Sequence, residues 1–182
     1  MRRAVHVSFS LSLLYYLIPD PLPLIGAAKA PAAVGFALFV SLVETGRVYT
    51  SWDVFLLRDY ERHQPAAYFW LGLGCCLALV FFPPRFAVLT ILGVCFADPV
   101  IGEVRETRFK EHAMAAGAAT WLAVASLAVF LGGLNVNAWL LLAGAGAAVV
   151  AEAAPIPYVD DDFLMNMVPL VTLRAVGWLL GA

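Results

Sequence analysis

The stretch "FAVLTILGVCFADPVIGEVRETRFKEH", Phe86 to His112, decides the reading of the fold. It opens as an unbroken apolar run and ends in a block carrying Glu103, Arg105, Glu106, Arg108, Lys110 and Glu111. The apolar run from Phe86 to about Val100 is read as a bilayer-crossing helix, a little shorter than the roughly twenty residues usual for one. Asp98 falls inside it, where a carboxylate is costly unless it faces a polar site. The same alternation of apolar runs and polar breaks continues along the chain. Hydropathy predicts about seven spans, near residues 7–28, 32–43, 66–82, 86–100, 113–131, 138–151 and 163–180.

Composition points the same way. Of 182 residues, 63% are hydrophobic and only 13% charged, with a mean hydropathy of +0.87; a soluble domain rarely carries so little charge. The expectation is an all-α integral membrane protein, a polytopic bundle of about seven transmembrane helices. It forms a single transmembrane domain, residues 1–182, because no hydrophilic stretch is long enough to fold alone. A cleavable leader is not expected, since Pro19, Asp20, Pro21 and Pro23 follow the first apolar run instead of small residues. Cys75, Cys76 and Cys95 lie in apolar segments without metal-type spacing and read as packing residues.

Counting bases orients the chain. With a cytoplasmic N-terminus, Arg2, Arg3, Arg47, Arg58, Arg62, Arg105, Arg108 and Lys110 are all cytoplasmic. Lys29 and Arg85 alone fall on the far side, and Arg174 lies within the last span. That is a clear positive-inside bias. The rule makes no demand on acids, yet of the thirteen Asp and Glu only Asp20 falls on the far face. Both signs of charge converge on one face, which predicts a polar site there.

The acids at span ends are Glu44, Asp98, Glu152 and the run Asp160, Asp161, Asp162. Taken singly, each reads as well as an interfacial residue that snorkels or pairs with an arginine. Grouped carboxylates repel one another unless a cation joins them, and oxygen-rich clusters suit Mg²⁺, which uses one or two carboxylates plus substrate phosphates. Arg105, Arg108 and Lys110 follow Asp98 with Gly102 between; arginine forks and lysine charges hold phosphates, although alone they read as a topology loop. "MRRAVHVSF" adds His6 near the bases, and "RDYERHQPAAYFWLGLG" adds Arg58 and Glu61 before an aromatic span start that reads as ordinary anchoring. No P-loop, Rossmann glycine pattern, Ser-His-Asp arrangement or zinc spacing is present.

In order along the chain, "RRAVH", "LVETGR", "RDYERHQPAAYFWLG", "FADPVIGEVRETRFK" and "AEAAPIPYVDDDFLMNMVPLV" together resemble the CTP-dependent lipid-alcohol kinases. These are the dolichol kinase, phytol kinase and eukaryote-type diacylglycerol kinase family, distantly similar to CDP-diacylglycerol synthases. The fourth element stands in the place of the family's Gly-Asp-x-x-Ala-x-x-x-Gly-Arg stretch, with Asp98, Gly102 and Arg105 as counterparts. Departures are visible: Ala97 replaces a glycine, Asp161-Asp162 replaces Asp-Asn with Asn166 nearby, and the family's phosphate segment after Lys110 is missing or shortened. The resemblance implies transfer of the terminal phosphate of CTP to a polyprenol, dolichol, phytol or diacylglycerol at the cytoplasmic membrane face. It implies Mg²⁺ on Asp98 and Asp161 or Asp162, with phosphates on Arg105, Arg108, Lys110, Gly102 and Arg58. Glu152 or one of the aspartate run accepts the alcohol proton. His6, Glu44, Arg47, Glu61 and Asn166 are further candidates. The partners implied are a lipid alcohol from the bilayer and a nucleotide, with no nucleic acid and homo-oligomerisation left open. Two rival readings stand beside it: a CDP-lipid-forming cytidylyltransferase, and a degenerate, non-catalytic lipid-binding or transport protein.

Overall fold

The computed structural model describes residues 2–181 apart from Ile25, Asp53, Phe55, Leu56 and Pro155; the side chains of Arg2 and Tyr60 also lie outside the description. The Arg2 charge counted above is therefore outside the described residues. The described residues form an all-helical structure without strands, apart from one isolated bridge between Ile156 and Val159. Helix α1 (Arg2–Ser8) continues as a 3-10 helix over Phe9–Leu17. It is followed by α2 (Lys29–Thr50), α3 (Ala67–Phe81), α4 (Pro84–Arg105), α5 (Ala113–Gly132), α6 (Ala138–Ala153) and α7 (Asp161–Leu179).

Helix boundaries follow local chemistry. Pro84 opens α4 at a position where a missing N–H costs nothing. Asn137 caps α6 by accepting from the Leu140 N–H at 3.0 Å, and Asp160 caps α7 by accepting from the Asp162 N–H at 3.2 Å. The first apolar run is helical over fewer residues than the sequence predicts. Its helical part ends at Leu17, because Ile18 precedes Pro19 and takes extended backbone. The second is longer: α2 runs on to Thr50, through Glu44 and Arg47, which satisfy each other one turn apart.

Packing is built on close helix approach. The most extensive pairings are α4 with α5 and α6 with α7, and both α3 and α4 also pack on α7. At the junction of α4, α5 and α6 lies Trp121, fully buried. Gly93 of α4 and Gly144 of α6 face its indole, and a Cβ at either position would overlap the ring. Buried alanines 125, 145, 148 and 151 continue this small-residue packing. Helix α2 stands at the edge, packed chiefly on α3, with Phe36, Leu38, Phe39 and Leu42 exposed. Three helical runs are long and apolar enough to cross a membrane: Lys29–Thr50, Pro84–Arg105 and Lys110–Gly132. This is compatible with membrane association. Ala67–Phe81 and Ala138–Ala153 are shorter apolar helices.

Candidate metal and phosphate site

Long-range contacts bring several helix ends to one end of the bundle. His6 of α1 meets Asp98 of α4 and Asp162 of α7. Arg105 at the end of α4 meets Glu152 near the end of α6, and Trp70 near the start of α3 packs against Phe163 near the start of α7 with ring centroids 5.3 Å apart. Most of the charge lies at this end. At the opposite end, Lys29 donates to the Ile18 carbonyl and Arg85 to the Asn135 carbonyl.

The centre of the cluster is His6. Its Nε2 lies 2.8 Å from Asp162 Oδ2 and 3.4 Å from Asp98 Oδ2. His6 is 6% exposed and Asp162 2%. Ligand atoms of His6, Asp98 and Asp162 lie within 4.8 Å of one another, as do those of Asp160, Asp161 and Asp162. Asp162 Oδ1 is buried with no hydrogen-bond partner among the described residues. Burial alone would lower the His6 pKa. The hydrogen bond to Asp162, together with the charges of Asp162, Asp98 and Asp160, outweighs it and raises the imidazole to about 9. Burial, a hydrogen bond with Asp161 and the charge of Asp162 raise Asp160 to about 9. The aspartates therefore crowd one another, and Asp160 keeps its proton through neutral pH. Acids in the first turn of α7 also suit the positive end of its dipole, which accounts for part of the aspartate run without any ligand.

Two polar cavities open beside the cluster. One, of about 500 Å³, is lined by the three cluster residues together with Arg3, Arg58, Gly102 and Arg105. The other, of about 590 Å³, is lined by Arg58, Gln64, Trp70, Arg105, Glu152 and Tyr158 among others. Arg58, Arg105, Asp160 and Asp161 line both, so the cavities adjoin. Arg105 Nη1 stands 2.6 Å from Glu152 Oε1, whose side chain is buried. At the rim, Arg3 pairs with Glu103 and, at 2.7 Å, with Glu106.

The candidates chosen from sequence separate into three groups and one further residue, Asn166. Asp98, Asp161, Asp162, Glu152, Gly102, Arg58, Arg105 and His6 line these cavities. Arg108 and Lys110 do not. Helix α4 ends at Arg105, and Thr107 then turns the chain, its hydroxyl donating to the Val104 carbonyl and accepting from the Phe109 N–H. Arg108 lies over the Phe109 ring, 4.8 Å from its centroid, and Lys110 is exposed. Glu44, Arg47 and Glu61 line neither polar cavity and form a buried bracket instead. Arg47 binds Glu44 through two nitrogens, at 2.9 and 2.7 Å, and donates to the Gln64 carbonyl. Glu44 accepts from the Ala66 N–H at 2.7 Å, and Glu61 accepts from the N–H groups of Arg58 and Ala67. These residues position the loop that carries Arg58 and Gln64 into the cavity wall.

Asn166 is fully buried one turn beyond Asp162, packed against Gly74 of α3, and donates to Cys75 Sγ at 3.6 Å. Arg3, Trp70 and Tyr158 are lining residues that no sequence motif marked as site residues. Comparison of the chain with protein-family models, curated proteins and solved structures gave no match.

Proposed function

We propose that the protein is a membrane-embedded phosphotransferase that moves the terminal phosphate of CTP to the hydroxyl of a long-chain lipid alcohol. The observation that carries this reading is the convergence of His6, Asp98 and Asp162 with Arg58 and Arg105 on two adjoining cavities at one end of an apolar bundle. That combination of carboxylates beside paired guanidinium groups is what phosphoryl transfer requires, where positioning and charge neutralisation do most of the catalysis.

In this reading the chain is a multi-pass membrane protein with its N-terminal end on the cytoplasmic side. Large apolar side chains such as Phe130, Leu131, Trp139 and Trp178 are exposed on its flanks, an arrangement suited to lipid. Asp98 and Asp162, with Asp161 beside them, would hold Mg²⁺; the unpartnered buried Asp162 Oδ1 fits that role. The ion would neutralise charge on the phosphates. Arg58 and Arg105 bind the phosphate oxygens, and the cavity bounded by Trp70, Gln64 and Tyr158 receives the nucleoside. Glu152 or an aspartate of the run takes the proton from the alcohol oxygen as that oxygen attacks the terminal phosphorus; the bond from that phosphorus to the oxygen bridging it to the β-phosphate breaks, and CDP leaves. His6 holds Asp162 and Asp98 in place.

The test is transfer of label from γ-labelled CTP to lipid alcohols by protein purified in lipid. Wild-type protein is expected to form a labelled lipid phosphate, and Asp98→Ala to lose turnover while still inserting into membranes. Unchanged turnover in Asp98→Ala would remove this carboxylate from the site.

A further inference from the structure

A third cavity, of about 620 Å³, shares no lining residue with the two polar cavities. Its walls are the 3-10 helix Phe9–Leu17, α2 over Ala33 to Val40, and α3 over Tyr68 to Leu79. It arises because α2 packs on α3 while the 3-10 helix packs on α3 and α4, which leaves a groove between α2 and the 3-10 helix. Its lining is almost wholly apolar, and its size falls within the range of roughly 300–1,000 Å³ typical of small-ligand sites.

Three features point to one occupant. First, the groove opens sideways: Leu11, Leu14 and Phe36, on its rim, are large apolar side chains exposed on the outer surface. Second, its length fits one leaflet. The wall from Tyr68 to Leu79 rises about 16 Å at 1.5 Å per residue, about half of a ~30 Å hydrocarbon core. Third, it begins beside the charged cluster. Phe9 follows His6 by one turn, and Cys75 in the groove wall accepts from Asn166, one turn beyond Asp162. The polar-end residues are Phe9, Val40 and Tyr68; the far end is Ile18, Ala33 and Leu79.

We infer that this groove seats the hydrocarbon chain of a single-chain lipid alcohol, entering laterally from the bilayer, with its hydroxyl end at the level of His6 and Asp162. The inference rests on the phosphotransferase reading for the role of the hydroxyl, but occupancy of the groove is a separate, measurable property. No covalent step takes place there; the groove sets which chains reach the cluster.

The test uses the full chain in phosphatidylcholine nanodiscs, without nucleotide, and hexadecanol bearing a diazirine on its terminal carbon. After photolysis, adducts are expected on the far-end residues Ile18, Ala33 and Leu79. Unlabelled hexadecanol should compete, whereas hexadecane, lacking the hydroxyl, should compete weakly. Ala37→Trp, which fills the groove, should lower adduct yield several-fold; Ala33→Trp serves the same purpose if the first variant misfolds. Adducts spread over other outward residues such as Phe130 and Leu131, unaffected by either tryptophan, would overturn the inference. Equal competition by hexadecane would overturn its link to the cluster. Groove labelling without any phosphoryl transfer would retire the kinase reading and leave the groove assignment standing; transfer without groove labelling would do the reverse.

Discussion

Replacing His6 by alanine removes the one imidazole that lies between the buried carboxylate of Asp162 and the partly buried one of Asp98. In the wild type, His6 Nε2 sits 2.8 Å from Asp162 Oδ2 and 3.4 Å from Asp98 Oδ2. Removing one partner of a buried charge pair costs about 3–5 kcal/mol. The rise of the imidazole from 6.5 to about 9 gives about 3 kcal/mol when converted at 1.36 kcal/mol per pKa unit. The two routes agree. At about 2–4 °C per kcal/mol for a chain of this size, the unfolding midpoint should fall by about 6–12 °C. The assay is thermal unfolding of detergent-solubilised protein in EDTA. Because the folded pKa lies above the unfolded one, the stabilisation is fully present below pH 6.5 and disappears as pH rises through about 9. The gap between His6→Ala and wild type should therefore close across that window. Added Mg²⁺ should restore part of the lost midpoint, since the freed carboxylates can then share a divalent cation. A midpoint for His6→Ala equal to that of wild type below pH 6.5, or a gap that does not narrow with pH, would refute the reasoning.

Other consequences concern packing and phosphate binding. Gly93→Ala or Gly144→Ala drives a methyl group into the Trp121 ring and should cost about 1–3 kcal/mol of stability. Gly146→Ala, where nothing lies within 4 Å, should leave the melting midpoint the same or slightly higher. Arg105→Ala should sharply weaken CTP binding measured by calorimetry in nanodiscs. Lys110→Ala, outside both polar cavities, should leave that affinity unchanged.

Much of the helical framework is legible in the sequence, because long apolar runs such as 113–131 have only one way to satisfy their backbone in an apolar setting. The errors have local causes. Hydropathy averages over Pro19, Pro21 and Pro23 and so predicts a first helix reaching residue 28, where the backbone leaves the helix after Leu17. It also stops the second helix at residue 43, because it scores Glu44 and Arg47 as polar and cannot see that they neutralise each other. For the candidate site, Asp98, Asp162 and Arg105 carried a local signal: charge at the ends of apolar runs. The role of His6 had none beyond its neighbours, since its partner Asp162 lies 156 residues away. The block Arg105 to Lys110 looked uniform, yet a single turn at Thr107 divides it into a cavity residue and two outward ones.

Which bond of CTP is broken separates phosphotransfer from its rival most directly. The decisive measurement supplies CTP carrying one label on the γ-phosphate and another on the cytosine, together with Mg²⁺ and a panel of long-chain lipid alcohols. Phosphotransfer predicts that the γ label enters the lipid fraction while the cytosine label stays in water as CDP. Lipid that carries neither label, in preparations shown to be folded, would contradict it. Cytosine label recovered in lipid with release of pyrophosphate, after supply of a lipid phosphate, would assign the site to cytidylyl transfer instead.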